Sequence, residues 1–77
     1  MVREIEWRSV FSSSANRVGY DHDMQELLVE WKRNNRISIY GPDFPYTEFD
    51  KLSKTVSVGS MIKNDIAPKY SHRYLDK

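Results

Sequence analysis

The sequence predicts a small α+β domain, in which an antiparallel sheet of three to four strands, connected as a β-meander, is covered on one face by two C-terminal helices. Three observations favour this fold. Apolar and polar residues alternate in the first half of the chain, which is the period of half-buried strands. An Asn-Asn pair separates two alternating stretches, and apolar residues recur at helical spacing after residue 45. With 77 residues, the chain is expected to form one domain, 1–77.

Two strands are predicted before the first turn. Residues 3–10 alternate apolar with charged side chains and predict the first strand. The serines from Ser12 to Ser14 predict a bend, because their hydroxyls compete for backbone groups. A second strand is expected over 15–20. It is followed by a turn at 21–23, where short Asx side chains can bond the backbone two residues further on.

A β-hairpin is predicted in the middle of the chain. Residues 26–32 alternate as a strand, and Asn34 and Asn35 tolerate the positive φ that a tight turn requires. Glu26 and Glu30 are expected to face water, and Leu28 breaks the alternation. The predicted inner face of the sheet comprises Leu27, Val29, Trp31, Ile37 and Ile39. Gly41-Pro42 ends the last strand, because proline lacks the N–H that a strand ladder uses.

Two helices are predicted after the sheet. Pro45 suits the first position of a helix, and apolar residues follow it at helical spacing for about three turns. A second helical stretch begins near Ser57 and ends before Pro68. The residues expected to cover the sheet are Phe49, Leu52, Val56, Ile62 and Ile66. The segment 70–77 is predicted to be a polar tail.

The composition argues against an enzyme. The chain has no cysteine, which excludes disulfides, cysteine-ligated metal and thiol catalysis. Its three glycines are isolated, so no phosphate-cradling glycine-rich loop is present, and no spacing of His, Asp or Glu predicts a metal site. We therefore expect a non-enzymatic protein with no cofactor and no metal. The chain has no apolar run of membrane-spanning length and no secretory-type start, so we expect a cytoplasmic protein without a membrane partner.

Charge clustering gives the candidate binding residues. Twelve Lys and Arg against eleven Asp and Glu leave a net charge of +1, too balanced to predict a polyanion partner by itself. Basic residues nevertheless bracket the Asn-Asn pair, and others interleave with aromatics near the end of the chain. The candidate nucleic-acid-binding residues are Lys32, Arg33, Arg36, Tyr40, Lys63, Lys69, Tyr70 and Arg73. Tyr40 is expected on the exposed face of the sheet.

The order of these features resembles the KTSC domain, a family named for its occurrence at the C-terminus of some lysyl-tRNA synthetases and also found as free-standing bacterial and phage proteins. The resemblance covers residues 12–70. Its opening is the serine pair Ser13-Ser14 followed by Val18-Gly19-Tyr20-Asp21. The closing pattern of Ser57, Gly59, Met61, Ile62, Ile66 and Tyr70 resembles the last helix of the family. The central Tyr-x-Tyr of the family is replaced by Ile37-Ser38-Ile39.

The resemblance implies a β-meander packed by C-terminal helices, with a suspected role in binding RNA. Interleaved cations and aromatic rings suit a single-stranded nucleic acid, because cations bind phosphates and rings stack on bases. The alternative is a protein-interaction module, such as a phage- or mobile-element-encoded factor that docks on a host protein. That alternative expects Leu28, Phe44 and Tyr46 to be exposed anchors. We expect a monomer, or a weak homodimer through an uncovered sheet edge near 36–40.

Overall fold

Five antiparallel strands form one sheet, in the order of the sequence, in the computed structural model, which describes residues 4–75. The strands are β1 (Ile5–Ser9), β2 (Ala15–Asp21), β3 (Glu26–Trp31), β4 (Ile37–Tyr40) and β5 (His72–Tyr74). The predicted meander is confirmed for β1 to β4. The sheet has one strand more than the upper limit of the predicted three to four, because β5 pairs with β4 inside the segment predicted to be a tail. The sheet edge expected to be open at β4 is therefore covered.

The predicted turns have the local geometry that their side chains favour. Oδ1 of Asp21 accepts a hydrogen bond from the backbone N–H of Asp23 at 3.0 Å, which is the expected Asx turn. Asn35 has a φ of 57°, a left-handed conformation that asparagine adopts more readily than most residues. The backbone N–H of Trp31 donates to the carbonyl oxygen of Arg36 at 2.9 Å and closes the β3–β4 hairpin. Local side-chain chemistry thus sets both reversals of the chain.

Two helices follow the fourth strand, as predicted. Helix α1 spans Tyr46–Lys54, and helix α2 spans Val58–Met61. The chain continues directly from α2 into a wider π-helical turn, Ile62–Ile66. There the backbone N–H of Ala67 donates to the carbonyl oxygen of Ile62 at 2.7 Å, five residues back.

The main core lies between the helices and one face of the sheet. Leu27 and Val29 are fully buried in it, and Trp31 packs against its margin, as predicted. The buried core comprises Ala15, Val18, Tyr20, Leu27, Val29, Tyr40, Phe44, Phe49, Leu52, Val58, Ile62 and Ile66. Burial of this apolar surface is the main force that holds the short helices on the sheet, because isolated helices of this length are unstable in water.

The prediction that Ile37 and Ile39 share this inner face is wrong by one position. Ile39 lies opposite Leu28, and Ser38 lies opposite Val29, so the two isoleucines face away from the helices. Directly paired residues of neighbouring strands project to the same side of a sheet, and a shift of one residue reverses every side chain. The length of the 32–36 turn sets this register, which strand alternation alone does not reveal.

The opposite face of the sheet is also partly buried. Leu28, expected to be exposed, is only 1% accessible. The indole of Trp7 lies directly over Gly19, where an added Cβ would stand 2.8 Å from a ring carbon. The guanidinium of Arg17 lies 4.0 Å from the centre of the same indole. A glycine in β2 therefore lets an aromatic ring cover the sheet where no helix does.

A buried ion pair on this face corrects a further expectation. Glu26 was predicted to face water, but it is 2% exposed, whereas Glu30 is half-buried. Both carboxylate oxygens of Glu26 accept hydrogen bonds from the Arg73 guanidinium, at 2.8 and 3.0 Å. The strand that the sequence did not predict supplies this arginine, so the burial of Glu26 could not be foreseen.

Two side chains near α1 differ from their predicted environments. Phe44, expected to be an exposed anchor, is buried, and its carbonyl oxygen accepts the hydroxyl of Tyr20 at 2.6 Å. Val56, expected to cover the sheet, is 86% exposed. It follows the end of α1, so the helical period that places apolar residues inward no longer applies to it. Tyr46 is 39% exposed, in line with the expectation.

Candidate nucleic-acid interface

A groove lies beside the β3–β4 hairpin. We call it the Trp31 groove. Its volume is about 600 Å³, and its lining residues are Ser13, Ser14, Trp31, Lys32, Arg33, Asn34 and Tyr74. None of these is acidic, so within residues 4–75 the groove wall combines two aromatic side chains with two cations and neutral polar groups.

Trp31 is held in place by a buried serine of the neighbouring strand. Its indole N–H donates to the hydroxyl oxygen of Ser38 at 2.7 Å. The ring nitrogen Nε2 of His72 lies 3.0 Å from the same hydroxyl. A buried indole N–H needs an acceptor, and this bond satisfies it while fixing the ring at the margin of the core. Trp31 is therefore half-buried: it packs against the core and also lines the groove.

Tyr74 and Arg36 form the second aromatic element of the site. The Arg36 guanidinium lies 3.9 Å from the centre of the Tyr74 ring, a stacked cation–π contact. Tyr74 is 43% exposed, and its other neighbour is the His72 ring at 4.8 Å in an edge-to-face arrangement. A guanidinium stacked on tyrosine is a flat cation, which can bind a phosphate or stack on a base.

Lys32 and Arg33 supply the cations at the hairpin. Both are exposed, and neither makes an ion pair within residues 4–75. The backbone N–H of Lys32 donates to the carbonyl oxygen of Ser14 at 2.8 Å, which ties the hairpin to the β1–β2 loop. The two side chains therefore start from an anchored backbone, and their charges are available to an anionic ligand.

A second cavity adjoins the Trp31 groove. We call it the serine cavity. Its volume is about 420 Å³, and it is lined by Ser12, Ser13, Ser14, Trp31, Val56, Ser57, Val58, Gly59, Ser60 and Lys63. The two spaces share Ser13, Ser14 and Trp31 as lining residues and so lie side by side, and we call the two together the depression. Lys63, predicted as a binding residue, is one of the residues that line the serine cavity.

The structure brings four of the predicted site residues to this depression and places the others elsewhere. Lys32 and Arg33 line the groove, and Lys63 lines the serine cavity. Arg36 contacts the ring of Tyr74, which lines the groove. Tyr40 is 6% exposed, so the expectation of an exposed ring there is wrong. The one-residue register shift turns it inward.

Tyr40 belongs to the buried core of the fold. Its ring packs against His72 with 5.0 Å between centroids, and burial raises the pKa of its hydroxyl. The remaining three predicted residues also lie outside the depression. Lys69 is exposed beyond the π-helical turn, Tyr70 packs against Phe44 at 4.9 Å, and Arg73 binds Glu26 on the opposite face of the sheet.

Trp31 and Tyr74 are the site residues that the sequence analysis missed. The alternation of a buried strand predicts Trp31 in the core and indicates no binding role for it. Tyr74 lies in the segment predicted as a tail, so nothing placed it beside the hairpin. One signal was available: a tryptophan directly followed by Lys32 and Arg33 joins an aromatic ring to two cations at the end of a strand.

Two further observations describe the part of the chain within 4–75. No group of three or more His, Cys, Asp or Glu side chains is arranged to hold a metal ion there. No helix of that part has the length and apolar character needed to span a membrane.

The comparisons with known proteins identify the family. The family model of the KTSC domain matches residues 11–70, and the chain therefore belongs to the KTSC domain family. A crystal structure of a KTSC domain protein from Yersinia pestis has the same fold, with a TM-score of 0.81 and 22% sequence identity. That similarity covers 95% of this chain and 100% of the other. A comparison with curated proteins gave no match.

Proposed function

We propose that this KTSC domain is a non-enzymatic nucleic-acid-binding module that binds single-stranded RNA in the Trp31 groove. One observation carries the proposal: Trp31 and Tyr74 lie in the same groove as Lys32 and Arg33. Single strands are bound by aromatic rings that stack on bases and cations that track the phosphates. An RNA partner also favours a cytoplasmic location.

The arrangement of the groove favours a single strand over a duplex. Bases in a duplex are stacked on each other and expose only their edges, whereas the bases of a single strand can stack on a side chain. Arg36 lies over the ring of Tyr74, a groove residue, and so adds a third cation next to the groove. With a net charge of +1, the affinity depends on these local cations, and we expect it to fall steeply with salt.

The test is fluorescence anisotropy with short labelled RNA, comparing the parent protein with Tyr74→Ala. Removing one stacking ring is expected to cost about 1 to 3 kcal/mol of binding free energy. Tyr74 is nearly half exposed, so its replacement perturbs the core less than replacement of Trp31. Lys69→Ala is the charge control, because Lys69 lies outside both the groove and the serine cavity.

Binding by the groove predicts weaker RNA affinity for Tyr74→Ala and unchanged affinity for Lys69→Ala. Equal affinity of the parent and Tyr74→Ala would remove the groove from the proposal. Raising the salt from about 50 to about 200 mM is expected to lower the affinity by orders of magnitude if several phosphates are bound.

A protein-interaction module is the second candidate. Two of its three expected anchors, Leu28 and Phe44, are buried, which weakens it. Phe11 and Val56 are 96% and 86% exposed and favour it instead. A pull-down from lysate with and without nuclease separates the two candidates, because an RNA-mediated partner is lost after nuclease treatment.

A further inference from the structure

The serine cavity has a lining suited to an oxyanion. Its polar wall consists of serine hydroxyls and a single cation, Lys63, and none of its lining residues within 4–75 is acidic. Hydroxyl groups donate hydrogen bonds, and a lysine ammonium adds charge-assisted ones. The ionised oxygens of a phosphate accept hydrogen bonds, so this donor set fits a phosphate group.

Four of the hydroxyls are not used by the fold. The side chains of Ser13, Ser14, Ser57 and Ser60 make no hydrogen bond to another group within residues 4–75. Ser12 differs, because its hydroxyl oxygen accepts two backbone N–H groups and stabilises the loop. The unused hydroxyls are therefore donors available to a ligand.

Gly59 allows the two sides of the cavity to meet. A Cβ at this position would stand 3.1 Å from the hydroxyl oxygen of Ser14, closer than ordinary van der Waals contact. The side chain of Ser14, on the β1–β2 loop, thus packs directly against the backbone of Gly59 in α2. The hydroxyl of Ser14 consequently lies beside the segment that carries Ser57 and Ser60.

We propose that the serine cavity is a phosphate subsite, in which Lys63 and the serine hydroxyls bind one phosphate of a strand whose neighbouring base stacks on Trp31. The proposal rests on the proposed function. Its basis is that Trp31, Ser13 and Ser14 line both spaces, so a strand whose base stacks on Trp31 has the serine cavity next to it, and none of the residues lining either space within 4–75 is acidic.

A phosphate can come from the end of a strand or from its interior. Both sources present oxygens to the same donors, but a terminal phosphate carries more negative charge at neutral pH. The two are separated by comparing oligonucleotides of one sequence that carry a 5′-phosphate, a 3′-phosphate or no terminal phosphate.

The experiment measures the affinity of these three RNAs for the parent, Lys63→Ala, Ser60→Ala and Lys69→Ala by fluorescence anisotropy. If the cavity binds a terminal phosphate, one phosphorylated RNA binds the parent about tenfold more tightly than the unphosphorylated RNA. Lys63→Ala abolishes that preference, and Ser60→Ala reduces it. Lys69→Ala keeps it, although it removes the same charge.

If the cavity binds an interior phosphate, no terminal phosphate is preferred. Lys63→Ala then weakens all three RNAs and lowers the slope of log affinity against log salt by about 0.7, the value for one single-strand phosphate. Lys63→Ala that matches the parent on every RNA overturns the subsite, while a loss of affinity in Tyr74→Ala would still support the Trp31 groove. If no RNA binds the parent, the subsite and the proposed function fail together.

Discussion

Glu26 and Arg73 form a two-pronged ion pair across the sheet, in which a carboxylate with 2% exposure is bound by a guanidinium that is about half exposed. The pair joins β3 to β5, the strands on either side of β4. Its two parallel hydrogen bonds match the planar geometry of both groups. The carboxylate raises the pKa of Arg73, because hydrogen bonds to Glu26 stabilise the charged form.

The first prediction is that Arg73→Met destabilises the protein more than the double variant Glu26→Gln/Arg73→Met. Methionine keeps the apolar stem but leaves the buried carboxylate without its cation. We expect a loss of about 2 to 4 kcal/mol in the free energy of unfolding, less than the about 3 to 5 kcal/mol typical of fully buried pairs, because Arg73 is partly solvated. The measurement is urea denaturation of both variants and the parent.

The double variant replaces the Glu26 carboxylate, which the single variant leaves buried without its cation. If Arg73→Met unfolded at the same urea concentration as the parent, the pair would not contribute to stability. If the single and double variants were equally destabilised, the loss would come from detachment of β5 and not from the unpaired carboxylate.

A second cluster of charges joins β1 to α1. The Arg8 guanidinium donates to Glu6 at 2.7 Å and to Asp50 at 2.8 Å, and further to the hydroxyls of Ser53 and Tyr46. The hydrogen bonds from Arg8 are the main cause that lowers the pKa of both carboxyl groups below their ordinary values of 4.5 and 3.8. Both carboxylates are therefore easier to ionise in the folded chain.

The second prediction concerns the pH dependence of stability. A carboxyl group whose pKa is lower when folded stabilises the fold above its unfolded pKa and loses that contribution as the pH falls through the folded value. We expect Arg8→Met to be less stable than the parent at about pH 7, and this difference to shrink toward about pH 3. The measurement is the free energy of unfolding of both proteins across this range.

A suitable control for this effect is Arg17→Met. Arg17 binds Glu30 at 3.0 Å on the opposite face of the sheet, away from the Arg8 cluster. A stability difference between the parent and Arg8→Met that stays constant from neutral to acidic pH would show that Arg8 acts through packing. The Arg8 guanidinium also lies 4.9 Å from the centre of the Phe49 ring, so part of the stability lost in Arg8→Met does not depend on pH.

The sequence was sufficient where local chemistry decides the structure. Asp21 and Asn35 occupy turns whose geometry their own side chains favour, and both turns were predicted. The helical spacing of Phe49, Leu52 and Ile66 likewise placed them correctly on the sheet. These features depend on residues that are only a few positions apart in the sequence.

The rest depends on contacts between distant parts of the chain. The pairing of β5 with β4 joins residues 32 to 36 positions apart, and it determines the burial of Glu26 and the position of Tyr74. The hairpin register decides whether Ile39 or Tyr40 faces the helices, although both choices fit the alternation. The cations Lys32 and Arg33 could be predicted from clustering, but their aromatic partner on β5 could not.

The third prediction is that Ser38 positions Trp31 for binding. Ser38 is 1% exposed, and its hydroxyl oxygen accepts the indole N–H of Trp31 while also contacting His72. Ser38→Ala leaves the indole N–H without its acceptor, which we expect to cost about 1 to 3 kcal/mol of stability. Because the ring is then less firmly held, we also expect the folded Ser38→Ala variant to bind RNA more weakly than the folded parent.

The measurement that separates positioning from folding uses the Trp7→Phe background, in which Trp31 is the single tryptophan of the sequence. In that background, the steady-state fluorescence anisotropy of Trp31 reports how freely its ring moves. RNA binding is measured at a temperature well below the midpoint of thermal unfolding, where each variant is folded. Ser9→Ala is the matched control, because it also removes one serine hydroxyl, and Ser9 lies exposed at the end of β1. If Ser38→Ala kept both the anisotropy of Trp31 and the RNA affinity of its background, the hydrogen bond would serve the fold alone and the groove would not need a fixed indole.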